Sequence, residues 1–194
     1  MALNSDSYII VGQILKYSED QQRDDHGRFG SGSEEKSWEP SEKIKEHIEM
    51  YTIDSQMSYT LVDAIKEGPQ TAPSLFRGIN IETEEERQQV ISDLQKEKVV
   101  EFPPTSWSSN REIGELFSTV DAPSGGYGKY GVIFELDAGA KGINFEPYAT
   151  EDFAYQKEWG VAGKFEVKSV SESTNPADES RIIKPIVVTL GIAS

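Results

Sequence analysis

The chain has no cysteine and only two histidines. The first absence excludes disulfides, thiolate nucleophiles and every zinc site that uses sulfur. His26 and His47 both lie in the N-terminal quarter, which leaves almost no material for histidine triads or multi-histidine metal sites. Cations are scarce as well: 19 Lys+Arg stand against 34 Asp+Glu in 194 residues, a formal net charge of −15. Neutralising a phosphate backbone or an anionic membrane takes clustered cations, so neither stable nucleic-acid binding nor membrane binding is expected. Long apolar runs are missing too. None approaches the roughly 18–20 residues of a membrane span, and the N-terminus shows no basic segment leading into an apolar stretch of signal length. The expectation is a cytosolic protein, or one packaged in a particle. Its chemistry should use carboxylates, hydroxyls and arginine, with no metal.

What is present suffices for one domain with a tail. A chain of this length buries roughly 70% of its unfolded surface, enough for a core and an enclosed site. Residues 8–15 form a short strand-like apolar run. From Tyr17 to Trp38 the sequence is dominated by Ser, Gly, Asp, Glu and Gln, which bury too little to offset the entropy of ordering them. Residues 1–40 are therefore read as a strand-like segment with a flexible acidic, Gly/Ser-rich tail, and 41–194 as the domain that carries the chemistry.

Within that domain helices come first. Ser41 is a helix N-cap by type, with Ile44, Ile48 and Tyr51 at i, i+4 and i+7. A second helix is expected from Asp54 or Ser55, with Met57, Leu61, Val62 and Ile65 on one face and Gly68-Pro69 ending it. A strand over 74–79 follows, then a charged helix over 83–97 opened by Thr83 and Glu86. Glu84-Glu85-Glu86 read as its negative first turn, favourable to the helix dipole. A Pro-rich turn at 103–104, a hydroxyl-rich strand at 105–109 and a helix from Asn110 carrying Ile113, Leu116 and Phe117 come next. Beyond a Gly-rich loop at 121–128, strands are expected at 130–136, 143–146, 157–170 (broken at Gly160 or Gly163) and 183–192, with a polar loop at 172–181. Helices first and strands later favour an α+β fold with largely antiparallel sheets.

Three features carry chemistry when read together. They are an arginine inside an apolar strand (Phe76-Arg77-Gly78), the hydroxyl strand (Ser106-Trp107-Ser108), and Gln156-Lys157-Glu158 opening a late strand. Singly, each has a plain structural reading: a salt-bridge partner, a helix cap, the solvated face of a strand. In this order, with Gly114 and Phe117 in the helix after Ser108, they resemble the mono-ADP-ribosyltransferases of the Arg–Ser–Glu class. Residues 156–171 are especially similar to the corresponding stretch of the ModB-type transferases of tailed phages. Trp107 stands where the family usually has Thr, and Gly114 where it has Ala.

The resemblance implies an ADP-ribosyltransferase-like fold, with N-terminal helices followed by two packed, largely antiparallel sheets around an NAD cleft. It also implies transfer of ADP-ribose from NAD to a host macromolecule, most simply a protein, with release of nicotinamide. An NAD glycohydrolase and a non-catalytic virion module of the same fold are the alternatives. Elementary chemistry agrees with the residue types. In a protein of charge −15, one planar guanidinium able to make a bidentate contact, Arg77, is an efficient holder of a diphosphate. Nicotinamide leaves as a neutral molecule, so one carboxylate suffices to hold the ribose 2′-hydroxyl and offset developing positive charge, the place of Glu158. Alternation in an extended strand would put Gln156 and Glu158 on one face, with Lys157 turned away.

Ser106 would position Glu158 and the ribose, Ser108 would support the strand, and the Gly78 backbone would contact the carboxamide because it lacks a Cβ. Phe117 completes the cofactor side. Tyr127 or Tyr130 would stack on nicotinamide, unless their Gly-rich segment is only a turn. Phe153 and Tyr155, with Gln156, are candidates for acceptor contact. Gln in place of the Glu found in most arginine-modifying members tilts the acceptor away from arginine. The acid excess implies basic acceptors, as nucleic-acid-binding host proteins are. Residues 16–29 are similar to short segments of phage head and morphogenesis proteins, which implies a phage or prophage source, action in the host cytoplasm and packaging in the phage particle.

Overall fold

The computed structural model describes residues 38–118, 130–174 and 183–193. The segment 8–15, the tail up to residue 37, the Gly-rich loop with Tyr127, and the 172–181 loop beyond Thr174 lie outside the described residues. Ser41 caps the first helix: its Oγ accepts the Ile44 N–H at 3.4 Å, and α1 runs over Glu42–Asp54. Ser55 then turns left-handed at φ 59°, returning its N–H to the Tyr51 carbonyl at 2.7 Å. That turn delays the second helix. α2 spans Tyr59–Glu67, capped by Ser58 and ended by Gly68, so it starts later than the Asp54 or Ser55 expected from side-chain type.

The remaining elements are β1 (Gln70–Thr71), β2 (Leu75–Ile81), α3 (Glu84–Lys96), β3 (Val99–Ser108), α4 (Arg111–Phe117), β4 (Tyr130–Leu136), β5 (Lys141–Asn144), β6 (Glu158–Glu172) and β7 (Ile186–Ile192). Two single 3-10 turns, Glu146–Tyr148 and Ala154–Gln156, lie between β5 and β6. The expected capping box of Thr83 and Glu86 opens α3 with both reciprocal hydrogen bonds in place. Pro103 and Pro104, read as a turn, lie inside β3. The register against β6 slips between Phe102 and Thr105, and such an irregularity tolerates residues that cannot donate to the ladder.

The strands form one network in the order β1-β5-β6-β3-β2-β4-β7, and β6 also pairs with β7. Among the described strands only β4 and β7 pair in parallel. The α+β class holds, but the two expected sheets are continuous with each other. Their common member is β6, whose 15 residues pair first with β3 and β5 and then with β7. It does not break at Gly163, which takes φ 138° within the strand.

Two apolar clusters hold these layers. The larger packs Val90 and Leu94 of α3 against Phe102, Trp107, Phe134, Phe165, Val188 and Leu190 of the sheet. The smaller joins Ile48 and Tyr51 of α1 and Leu61 and Ile65 of α2 to Ile143 and Phe145. No helix among the described residues is long and apolar enough to cross a membrane.

Candidate active site

A cavity of about 390 Å³ opens where these two clusters meet, within the usual size of a ligand pocket. Its wall takes Tyr51 from the smaller cluster and Trp107 from the larger. Strand register explains the convergence: Phe76 lies opposite Ser108, and Ser108 opposite Glu158. Three sequence-distant strands therefore bring Arg77, Ser106 and Glu158 to one place. Phe76, Gly78, Ser108, Ile113, Phe117, Phe153 and Gln156 line the same cavity, with Thr52 and Ser55 of the α1 end.

The charges are held tightly. Arg77 Nη1 donates to the Ser106 backbone carbonyl, while its Nε is buried with no partner among the described residues. Desolvation lowers the guanidinium pKa from its ordinary value, and Tyr51 and Glu158 act against that drop. Glu158 shows the converse. Burial raises its pKa above the ordinary 4.5, opposed by a hydrogen bond with the Ser106 side chain and by the Arg77 charge. The Tyr51 phenol is pushed up to about 12, chiefly by burial and also by the Glu158 charge.

Gln156 and Glu158 face one cavity for a different reason from the alternation expected of a strand. Ala154–Gln156 is a 3-10 turn, and Lys157 is left-handed at φ 48°, ψ 49°. The strand begins only at Glu158. Ser108 anchors this reversal: its Oγ donates to the Gln156 carbonyl at 2.5 Å and accepts the Asn110 N–H at 2.9 Å. Ser109 N–H donates to the Lys157 carbonyl at 3.1 Å. With both bonds made to backbone groups, the Ser108 hydroxyl supports the turn more than it offers itself to a ligand. Among the described residues the Gln156 side-chain amide reaches only the Tyr155 hydroxyl, at 3.4 Å.

Of the tyrosines expected at the site, Tyr130 packs away from the cavity, and Tyr155 lies on the surface beside Gln156. Tyr130 starts β4 opposite Ile81 and packs on the larger cluster, with the Arg87 guanidinium 6.0 Å from its ring centroid. Its neighbours at the start of the strand, and not the cavity, take up its ring. Tyr155 is 58% exposed and does not line the cavity, whereas Phe153 does. Gly78 lines the cavity, but its missing Cβ has another use: a Cβ there would fall 1.9 Å from the Gly114 carbonyl oxygen. Helix α4 needs that space. The sequence reading also missed Tyr51 as a site residue, placing it only on the apolar face of α1.

Among solved structures, the ADP-ribosyltransferase Vis in complex with M6 Inhibitor is similar to this chain with a TM-score of 0.52 and 16% identity, covering 79% of this chain and 74% of that chain. This is the ADP-ribosyltransferase fold. C3stau2 from S. aureus with NAD is also similar, at TM-score 0.47 and 16% identity over 80% of this chain and 88% of that chain. So is Plx2a, an ADP-ribosyltransferase toxin from Paenibacillus larvae, at TM-score 0.47 and 13% identity over 79% of this chain and 87% of that chain. No protein-family model matches the sequence, and no curated protein matches it significantly.

Two residues that differ from the usual pattern of the transferases have local explanations. Gly114 lets α4 sit against β2, because a Cβ there would fall 2.8 Å from the Phe76 Cβ. Trp107 is 2% exposed and packs edge-on against Phe102 at 5.1 Å and Phe165 at 6.3 Å. It belongs to the core beneath the hydroxyl strand. Trp107→Thr is expected to destabilise the protein by about 3–5 kcal/mol, as removal of a buried large aromatic does. A lower urea midpoint would show this; an unchanged midpoint would mean that the core closes around Thr.

Proposed function

We propose that this chain cleaves the nicotinamide–ribose bond of NAD and transfers the ADP-ribose to a macromolecular acceptor. The observation that carries the reading is the meeting of a guanidinium and a carboxylate on one cavity, the guanidinium keeping a buried Nε that has no partner among the described residues. The residues fit the substrate. NAD brings a diphosphate, which suits the free donors of Arg77, and ribose hydroxyls, which suit Glu158 and Ser106. Phe117 and Phe76 supply apolar surface beside them. Glu158, ionised, would hold the ribose 2′-hydroxyl and face the positive charge that grows on the ribose as nicotinamide departs. Because the leaving group departs neutral, no acid is needed to protonate it.

The acceptor would enter past the Ala154–Gln156 turn. Gln156 presents an uncharged amide that both donates and accepts, a match for a neutral acceptor group. Phe153 would supply apolar contact. The charge of −15 favours acceptors with basic surfaces, such as nucleic-acid-binding host proteins, over acidic ones. The similarity of residues 156–171 to phage transferases supports a phage or prophage effector acting in the host cytoplasm.

The test is mass spectrometry of bacterial lysate after incubation of the protein with NAD. The expected result is ADP-ribose on a set of proteins with high isoelectric points, at side chains other than arginine. An acidic acceptor set would overturn the charge argument, and free ADP-ribose without any modified macromolecule would replace transfer with hydrolysis.

A further inference from the structure

Among the described residues, two that carry side chains take a left-handed backbone: Ser55 at φ 59° and Lys157 at φ 48°. Ser55 lines the cavity, and Lys157 sits between two residues that line it, Gln156 and Glu158. Such a conformation is costly for residues other than Gly and Asn, and it persists only where the surroundings enforce it. At Lys157 they do. Its N–H donates to the Ala154 carbonyl at 3.2 Å, closing the 3-10 turn, and its carbonyl accepts the Ser109 N–H at 3.1 Å. One residue earlier, the Gln156 carbonyl accepts from Ser108 Oγ at 2.5 Å. Lys157 itself is exposed, and each of these bonds engages backbone at the turn.

The two flanking residues depend on that backbone angle unequally. Glu158 opens β6 in register with Ser108 of β3, and its carbonyl accepts the Phe145 N–H at 2.8 Å. The sheet therefore holds Glu158 from both sides. Gln156 belongs to the turn outside the ladder, tied to the sheet by its carbonyl bond to Ser108 and by the chain through Lys157. If Lys157 were extended, the turn would leave the strand in another direction and carry Gln156 off the cavity while Glu158 stayed. We propose that Lys157 is a positioning residue for Gln156: its left-handed backbone holds Gln156 on the cavity and thereby sets how ADP-ribose is divided between a macromolecular acceptor and water.

The division of product rests on the proposed reading, in which Glu158 acts on NAD and Gln156 meets the acceptor. The backbone role does not. On that reading the first step is common to both outcomes: the bond between ribose C1′ and the nicotinamide nitrogen breaks, and its electron pair leaves with nicotinamide. C1′ then bonds either a nucleophilic atom of the acceptor or the oxygen of water, and whichever attacks gives up one proton to solvent. A fixed amide at position 156 favours the acceptor, because an oriented reactant competes with water through its effective concentration. Water needs no such orienting group, so displacing Gln156 leaves hydrolysis in place.

The experiment compares Lys157→Val, Lys157→Ala and Lys157→Asn with the wild type, using NAD labelled on adenine. Two rates are read: label transferred to lysate protein, and nicotinamide released without lysate. Valine is β-branched and disfavours the left-handed region. In Lys157→Val transfer is expected to fall about tenfold or more, with nicotinamide release within about twofold of the wild type. Lys157→Asn loses the charge but tolerates the angle, and should match the wild type in both rates. Lys157→Ala should fall between them, and carries the test if the valine variant does not fold. Hydrogen exchange at the Ser109 amide, which donates to the Lys157 carbonyl, reads the backbone without NAD and should be faster in Lys157→Val than in Lys157→Asn. Wild-type transfer by Lys157→Val and Lys157→Ala would overturn the proposal. So would equal losses in the Val and Asn variants, or a parallel loss of transfer and nicotinamide release. Faster Ser109 exchange in Lys157→Val, with no nicotinamide released even by the wild type, would uphold the backbone role and overturn the NAD reading.

Discussion

Glu158→Gln is expected to end turnover and raise the melting temperature together. The loss of activity follows from the proposed role: the amide keeps the shape of the side chain but removes the negative charge that, on that reading, faces the ribose. Removing one preorganised electrostatic partner typically lowers kcat by about 10²–10³-fold, and here it removes the only carboxylate lining the cavity among the described residues. The gain in stability follows from protonation. The Glu158 pKa is raised in the folded protein above its ordinary 4.5, so the folded state binds this proton more tightly than the unfolded state does. Its contribution to stability is therefore present at low pH and is lost as pH rises from the unfolded pKa through the folded one. At neutral pH the ionised carboxylate opposes folding, and the neutral amide relieves that opposition. For a chain of this size each kcal/mol relieved is about 2–4 °C in Tm. Calorimetry at pH 7 against pH 4 checks the sign: the advantage of the variant should shrink at the lower pH.

Arg77→Lys is the second large effect. Lysine keeps a charge but loses the planar fork, and the position asks for two things at once. Nη1 serves the Ser106 carbonyl, and on the proposed reading the remaining donors are asked to meet the NAD diphosphate. An ammonium cannot meet both demands. Burial would also push a lysine toward its neutral form, where an arginine stays charged. NAD affinity is expected to fall by about tenfold or more, the scale of one lost charge-assisted contact. The Glu158 midpoint should rise as well, because its neighbouring cation weakens. The two variants differ in a useful way: by calorimetric titration Glu158→Gln should keep the wild-type NAD affinity, and Arg77→Lys should lose about tenfold or more of it. Wild-type NAD affinity in Arg77→Lys would remove that residue from the phosphate-holding role.

Much of this was legible where the deciding physics is local. Ser41, Thr83 with Glu86, and Gly68 mark helix ends because capping needs only a few adjacent residues. Residue type and order marked Arg77, Ser106 and Glu158 as candidates, although their meeting on one cavity depends on a register that no local pattern reports. Errors arose where local and tertiary demands conflict. Pro103-Pro104 has the composition of a turn, yet the slipped register of β3 accommodates it. Gln156-Lys157-Glu158 alternates like a strand, but Ser108 and Ser109 pin a left-handed Lys157 before the strand begins. Tyr51 was hidden for the opposite reason. Its periodicity identifies a core residue, and it is one; that it also lines the cavity depends on tertiary packing. Tyr130 shows how proximity to a loop misleads, since the ring is already engaged by Arg87 and the core.

The central claim is that the cavity at the junction of β2, β3 and β6 cleaves NAD through Glu158. Nicotinamide release from NAD by the purified chain, followed by chromatography with and without lysate, addresses it most directly. The expected result is release by the wild type, faster with lysate present, and its loss in Glu158→Gln at unchanged NAD affinity. Release at the wild-type rate by Glu158→Gln, or none by the wild type under either condition, would contradict it.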